Sequence, residues 1–277
     1  MKSLKCVVGF LVLISALAIS ANAQSDGNDN AGNYTAWGSS GFTPNNNGGT
    51  GFGPWSINYV NGGWSGEFLG DSRNTGPGGL PGINSANNEA WGLYANNYNS
   101  ADAYRTFNVP LTLPAQYASI EFENGYVQSG QSPGNSVGLA LQNASGQNLI
   151  QWYFQGGYGD YTLDNGSQNS ATTGWTDDGM TVKFTLEAGN TVNVSVTALN
   201  GDSANFTDNG VALQSQTGGE VPAQIHLWDY NAAGENSPGT PYDAFYNQLV
   251  VVPEPSSIML VGVGLLGAVG LIRRRKA

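Results

Sequence analysis

The sequence predicts an all-β fold, two packed antiparallel sheets in one unit, with an apolar helix at each end of the chain. Three observations carry the prediction. Of 277 residues, 40 are Gly and 31 are Asn, types that occupy turns and positive φ, while only 10% are charged. Period-two alternation recurs in the body. Val182, Phe184 and Leu186 point one way, Val192, Val194 and Val196 do the same in the next run, and Ala188-Gly189-Asn190 is the hairpin connection. Finally, no body segment before Ser256 shows apolar spacing of 3.6, and the Ala/Glu/Lys/Leu richness of a helix bundle is missing.

In chain order, residues 1–23 read as a secretory signal. Lys2 and Lys5 give the positive start, Val7 to Ile19 the apolar stretch, and Ala21 and Ala23 the small residues that place cleavage before Gln24. Residues 24–54, rich in Gly, Asn, Ser and Thr, are expected to be a flexible, irregular lead-in. Asp71 to Asn88 has similar composition and is expected to form a long surface loop. Strands are expected at 90–95, 103–109, 117–124, 136–143, 148–154, 159–163, 180–187, 191–199, 223–230 and 243–252, within a sandwich domain spanning 55–251. No repeat of fixed period is present, which argues against a propeller or β-helix.

The chain closes on residues 252–277. Pro253 and Pro255 donate no backbone hydrogen bonds and hold their neighbours extended, so Val252-Pro253-Glu254-Pro255 forms an accessible strip. Ser256 to Ile272 is an apolar run of 17 residues, near the lower limit for spanning hydrocarbon. Gly262, Gly264, Gly267 and Gly270 permit close helix approach in lipid, and Arg273, Arg274, Arg275 and Lys276 hold the end on the cytoplasmic side.

This three-part tail resembles the PEP-CTERM sorting signal of Gram-negative bacteria, a tail also catalogued as the C-terminal domain of ice-binding proteins. The resemblance implies export, a transient stay at the inner membrane, and release or transfer of the body by a membrane protease of the exosortase type. It also associates the protein with exopolysaccharide-producing bacteria, which makes exopolysaccharide a candidate partner. Ice binding would need a flat, regular Thr array, and the sequence shows none.

Composition closes off several functions. Only Arg73, Arg105 and Lys183 are cationic in the body, against nineteen acidic residues between Asp26 and Asp243. Three scattered cations build no phosphate-binding patch, so nucleic acid is excluded as a partner. The one Cys, Cys6, lies in the leader, leaving the body without a disulfide, thiol nucleophile or Cys zinc site. The one His, His226, excludes a site made of several histidines. Neither a metal nor a cofactor is expected.

The order of strands in the body resembles the concanavalin-like lectin/glucanase sandwich. Trp91-Gly92-Leu93-Tyr94, Ala103-Tyr104-Arg105-Thr106-Phe107, Ile120-Glu121-Phe122-Glu123-Asn124, Val137-Gly138-Leu139 and Phe245-Tyr246-Asn247-Gln248-Leu249 carry the resemblance over residues 55–251. It implies a jelly-roll with one concave sheet of the kind often used for glycans; fold alone does not give function.

Two sets of residues are candidate sites. Glu121 and Glu123 stand at i and i+2 on one strand, so they share a face roughly 6.5–7 Å apart and could act as the acid and nucleophile of a glycosidase. Laminarinase-type glucanases of this fold carry Glu-x-Asp-x-x-Glu on one strand, and here Tyr126 takes the third acidic place. A phenol of ordinary pKa near 10 is a poor general acid, so solvated strand carboxylates are the favoured reading. Legume lectins continue this strand with ligands for manganese and calcium, but Gly125 to Ser136 contains no Asp, Glu or His. The second set is His226, Trp228 and Tyr230, which alternate with Ile225, Leu227 and Asp229. A polar-aromatic face can stack sugar rings and bond their hydroxyls, and it is also an ordinary sandwich face.

The sequence therefore predicts an exported surface or matrix protein whose body is a non-catalytic structural domain. A carbohydrate-binding module and a polysaccharide-degrading enzyme are the alternatives.

Overall fold

The computed structural model describes residues 27–60, 63–74, 82–129, 134–171, 173–199, 205–235 and 240–252. The chain divides into the unit Asp26–Pro253 and a unit formed by Met1–Ser25 with Glu254–Ala277. The signal segment with Ala21, Ala23 and Gln24 lies outside the described residues, as do Pro253, Glu254, Pro255, the 256–272 span, Arg273, Arg274, Arg275 and Lys276. Among the described residues no helix is long and apolar enough to cross a membrane.

The strands are β1 (Gly27–Asp29), β2 (Phe52–Tyr59), β3 (Ser65–Gly70), β4 (Ala90–Ala95), β5 (Ser100–Phe107), β6 (Tyr117–Asn124), β7 (Ser136–Gln142), β8 (Asn148–Gln155), β9 (Thr162–Asp164), β10 (Gln168–Ser170), β11 (Met180–Glu187), β12 (Thr191–Ala198), β13 (Phe206–Ala212), β14 (Gln224–Tyr230) and β15 (Ala244–Val252). They form two antiparallel sheets. One has the order β13-β12-β11-β6-β15-β4-β3, and β1 pairs with β15. The other has the order β10-β9-β8-β7-β14-β5-β2. Alternation explains the layering: Ile120, Phe122, Val182, Phe184, Val194 and Val196 of the first sheet share one apolar core with Leu139, Leu141, Trp152, Ile225 and Leu227 of the second. Tyr246 of β15 crosses this core, its hydroxyl 2.8 Å from the Trp228 carbonyl and 2.9 Å from that of Gly138.

Each strand expected between residues 90 and 252 has a counterpart. Five others, β1, β2, β3, β10 and β13, are additional. β3 and its partner β4 show why glycine hid a strand. Phe68 of β3 lies across Gly92 of β4, where a Cβ would fall 2.4 Å from the Phe68 ring. Here glycine seats an aromatic ring instead of breaking the ladder.

Residues 27–59 also differ from the irregular lead-in that their composition suggests. Beyond β1, a 3-10 helical stretch Ala31–Ser40 leads towards β2, and Tyr34 and Phe42 are fully buried. Tyr34 and Phe42 pack on Trp91, with ring centroids 5.9 and 6.0 Å away, and Phe42 meets Trp55 edge-on at 5.1 Å. A few aromatic anchors therefore fix a polar segment. Beneath them Asp29 and Arg105 form a fully buried ion pair at 2.9 Å.

Candidate functional site

The outward face of the second sheet carries a cleft of about 480 Å³. Its geometry follows from register. His226 pairs with Tyr104 of β5 and Ala140 of β7, and Ala140 pairs with Gln151 of β8. One step along, Trp228 pairs with Asp102 and Gly138, and Gly138 pairs with Tyr153. In the third row Tyr230 pairs with Ser100 and Ser136, and Ser136 pairs with Gln155. The middle strand β7 is the low point because its outward residues Gly138 and Ala140 are small. A Cβ at Gly138 would lie 2.4 Å from the Tyr153 Cβ and 2.7 Å from the Trp228 ring, so only glycine lets the two aromatic residues close over it.

Contacts hold the aromatic groups in place. His226 and Tyr104 stack at 4.4 Å with planes 7° apart, and Trp228 lies 5.2 Å from His226 and 6.1 Å from Tyr153. The Trp228 indole N–H donates to the Ser136 Oγ at 3.2 Å. His226 Nε2 sits 2.9 Å from Asp102 Oδ1, whereas its Nδ1 has no hydrogen-bond partner among the described residues. Burial, reinforced by the nearby Asp102 charge, pushes the Tyr104 phenol up to about 12, so it stays a neutral donor. On the opposite wall Asp164 Oδ2 accepts from the Gln151 Nε2 at 3.2 Å and Oδ1 from the Gly166 N–H at 2.8 Å. Aromatic surface, amides and carboxylates thus converge on one open concavity.

The two sequence-derived sets fall in different places. His226, Trp228 and Tyr230 all line this cleft. Glu121 and Glu123 share a face of β6 in the other sheet, on the side away from core residues Ile120 and Phe122. Glu123 is buried there, and its Oε2 accepts the Ile83 N–H at 3.1 Å. Glu121 is half-buried, and desolvation lifts its carboxyl to about 7. The acidic pair and the histidine face therefore do not share one groove, and one carboxylate of the pair is engaged by the 82–83 backbone. Among the described residues no three His, Cys, Asp or Glu side chains form a metal-binding group.

Asp102, Tyr104, Ser136, Gln151, Tyr153, Gln155 and Asp164 were not singled out as site residues from sequence. They lie on several strands, and only the β5-β14-β7-β8-β9 order brings them together.

The last strand leads directly into the tail. Val252 ends β15, half-exposed and paired with Tyr117, and Val251 pairs with Ala118 and with Gly27 of β1. Residues 251–276 match the PEP-CTERM protein-sorting motif. This chain carries a PEP-CTERM tail. The first residue of the motif is thus held in the sheet between β1 and β6, and the second is paired with β6. No curated protein sequence matches the chain. Solved structures similar to this chain include a sialidase, at TM-score 0.50 and 12% identity, covering 84% of this chain and 19% of that one. This chain therefore spans about a fifth of that sialidase's length. Others are the catalytic domain of a glycoside hydrolase family 131 protein from Coprinopsis cinerea (TM-score 0.47, 12% identity, 79% of this chain and 93% of that one) and an endo-β-1,4-glucuronan lyase from the fungus Trichoderma reesei (0.40, 12%, 72% and 90%). The likeness is one of fold, the concanavalin-like sandwich.

Proposed function

We propose that this is an exported surface protein, sorted through its PEP-CTERM tail and processed by an exosortase-type protease, whose body binds carbohydrate in the cleft of the second sheet. Export begins with the signal helix and cleavage before Gln24. The 256–272 helix then stops transfer, the terminal basic cluster fixes orientation, and Val252-Pro253-Glu254-Pro255 offers the strip at which the body is released. The glycan reading rests above all on the cleft, where Trp228, Tyr153 and Tyr230 form an apolar cluster over Ala140 within reach of Asp102, Asp164, Gln151 and Gln155. Sugar rings present CH faces to aromatic surface and hydroxyls to carboxylates and amides, and this face offers both.

Binding is favoured over hydrolysis because Glu123 is tied to the Ile83 N–H and the Glu121–Glu123 pair lies on the other sheet. Trp228→Ala removes the buried ring that backs His226 and Tyr153 and shapes the cleft, and is expected to weaken retention of the full-length chain on its polysaccharide by tenfold or more. Glu121→Gln should leave retention unchanged. Unaltered binding by Trp228→Ala would remove the cleft as the binding face.

A further inference from the structure

We infer that the cleft selects glycans without carboxylate or sulfate groups, so that its ligand is an uncharged polysaccharide. The inference rests on the glycan reading of this face and names the class of ligand.

Charge placement carries the argument. Among the described residues two carboxylates line the cleft, Asp102 on the β5 side and Asp164 on the β9 side, and no Lys or Arg does. The body has only three cations to offer, and each is engaged elsewhere. Arg105 is fully buried and paired with Asp29. Lys183, in the other sheet, holds its Nζ 3.8 Å from the Tyr117 ring centroid. Arg73 is bound to Asp71 in the segment after β3. A uronate or sulfate entering the cleft would leave water, meet two carboxylates and find no Lys or Arg as counter-ion, the His226 Nε2 being already taken by Asp102. The wider excess of nineteen acidic residues over three cations in the body adds a repulsive field of the same sign.

The same groups suit hydroxyls. An ionised carboxylate is an acceptor with about four lone-pair sites. Among the described residues Asp102 is bonded to His226 Nε2, and Asp164 accepts from Gln151 Nε2 and the Gly166 N–H. Sugar hydroxyls can donate to the remaining sites in the charge-assisted bonds that are the stronger class. Gln151 and Gln155 add amides able to donate as well as accept, and the partly exposed rings of His226 and Tyr230, backed by the buried Trp228 and Tyr153, supply the apolar surface. Apart from His226, whose Nε2 is taken by Asp102, every polar contribution from the cleft is neutral or negative, which fits an uncharged polyol.

The test uses the full-length chain in detergent and measures affinity for three uncharged polysaccharides (laminarin, xyloglucan and mannan) and two polyuronates (alginate and polygalacturonate). At least one uncharged polymer is expected to bind, with an affinity insensitive to salt up to about 0.5 M, and both polyuronates to bind at least about tenfold more weakly. Asp164→Asn, which removes one of the two charges, should raise polyuronate retention several-fold. Polyuronate binding as tight as that of every uncharged polymer overturns the selectivity while leaving the glycan reading standing. So does an Asp164→Asn chain with unaltered discrimination. Failure to bind any of the five overturns the glycan reading itself, and this inference with it.

Discussion

Arg105→Met is expected to destabilise the sandwich by about 3–5 kcal/mol, the scale for breaking a buried ion pair by removing one partner. The Arg105 and Asp29 side chains are fully buried 2.9 Å apart. Asp29 also accepts from the Tyr34 hydroxyl at 2.6 Å and the Asn33 Nδ2 at 2.9 Å, and Arg105 donates to the Asn47 Oδ1 at 2.6 Å and the Asn46 carbonyl at 3.3 Å. The guanidinium carbon further sits 4.9 Å from the Trp55 ring and 5.3 Å from that of Phe52. One side chain on β5 thereby fastens β1 and the Asn46-Asn47 turn to the β5–β2 edge of the second sheet. Removing it leaves the Asp29 carboxylate uncompensated in the core, and burial already holds that carboxyl above its ordinary range. Thermal unfolding should show a Tm lower by roughly 10 °C, given about 2–4 °C per kcal/mol for a domain of this size. Asp29→Asn combined with Arg105→Met should recover much of the loss, because no buried charge is then unpaired. A Tm unchanged in the single variant would contradict the role given to this pair.

Stability is expected to fall as pH rises from about 4 to about 7. Desolvation lifts Asp243 from its ordinary 3.8 to about 7 and raises the fully buried Asp229 well above the usual carboxylate range, with Asp243 and Asp102 adding repulsion at Asp229. Carboxyls raised in this way keep their protons in the folded chain while the unfolded chain releases them. Their stabilising contribution is complete below pH 3.8 and lost as pH climbs through the folded pKa. For Asp243 the full difference is at most about 4 kcal/mol, at 1.36 kcal/mol per pKa step. Tm at pH 5 should therefore exceed Tm at pH 8, and Asp229→Asn with Asp243→Asn should flatten the slope. A Tm that climbs between pH 5 and pH 8 would mean that both groups are ionised and compensated by positive charge, which contradicts their burial among neutral and acidic neighbours.

Much of the fold was legible because alternation is a local property. Val182, Phe184 and Leu186 face the core as their spacing requires, and so do Val192, Val194 and Val196. His226, Trp228 and Tyr230 share one face for the same reason. β3 was not legible, since Gly66 and Gly70 interrupt its short run and its Phe68 finds its seat only on Gly92 of the expected strand β4. The N-terminal segment was misread because Asn and Gly dominate it, while Tyr34, Phe42 and Trp55, which fix it, act on Trp91 through the tertiary fold. The cleft was half legible. One wall stands in a single strand, but Tyr153, Gln151 and Gln155 belong to β8, and only the interposed β7 sets them opposite His226 and Trp228. The acidic pair shows the converse, since Glu121 and Glu123 do share a face, and the intervening topology places that face away from the cleft.

The proposal has both ends act as addresses that are removed before the body meets an extracellular glycan. Intact-mass analysis of the protein recovered from outside the cells tests this most directly. The account expects a chain that begins at Gln24 and ends close to the Val252-Pro253-Glu254-Pro255 strip. Recovery outside the cell of a chain still carrying residues 256–277, or of none at all while the full-length form accumulates inside, would contradict it.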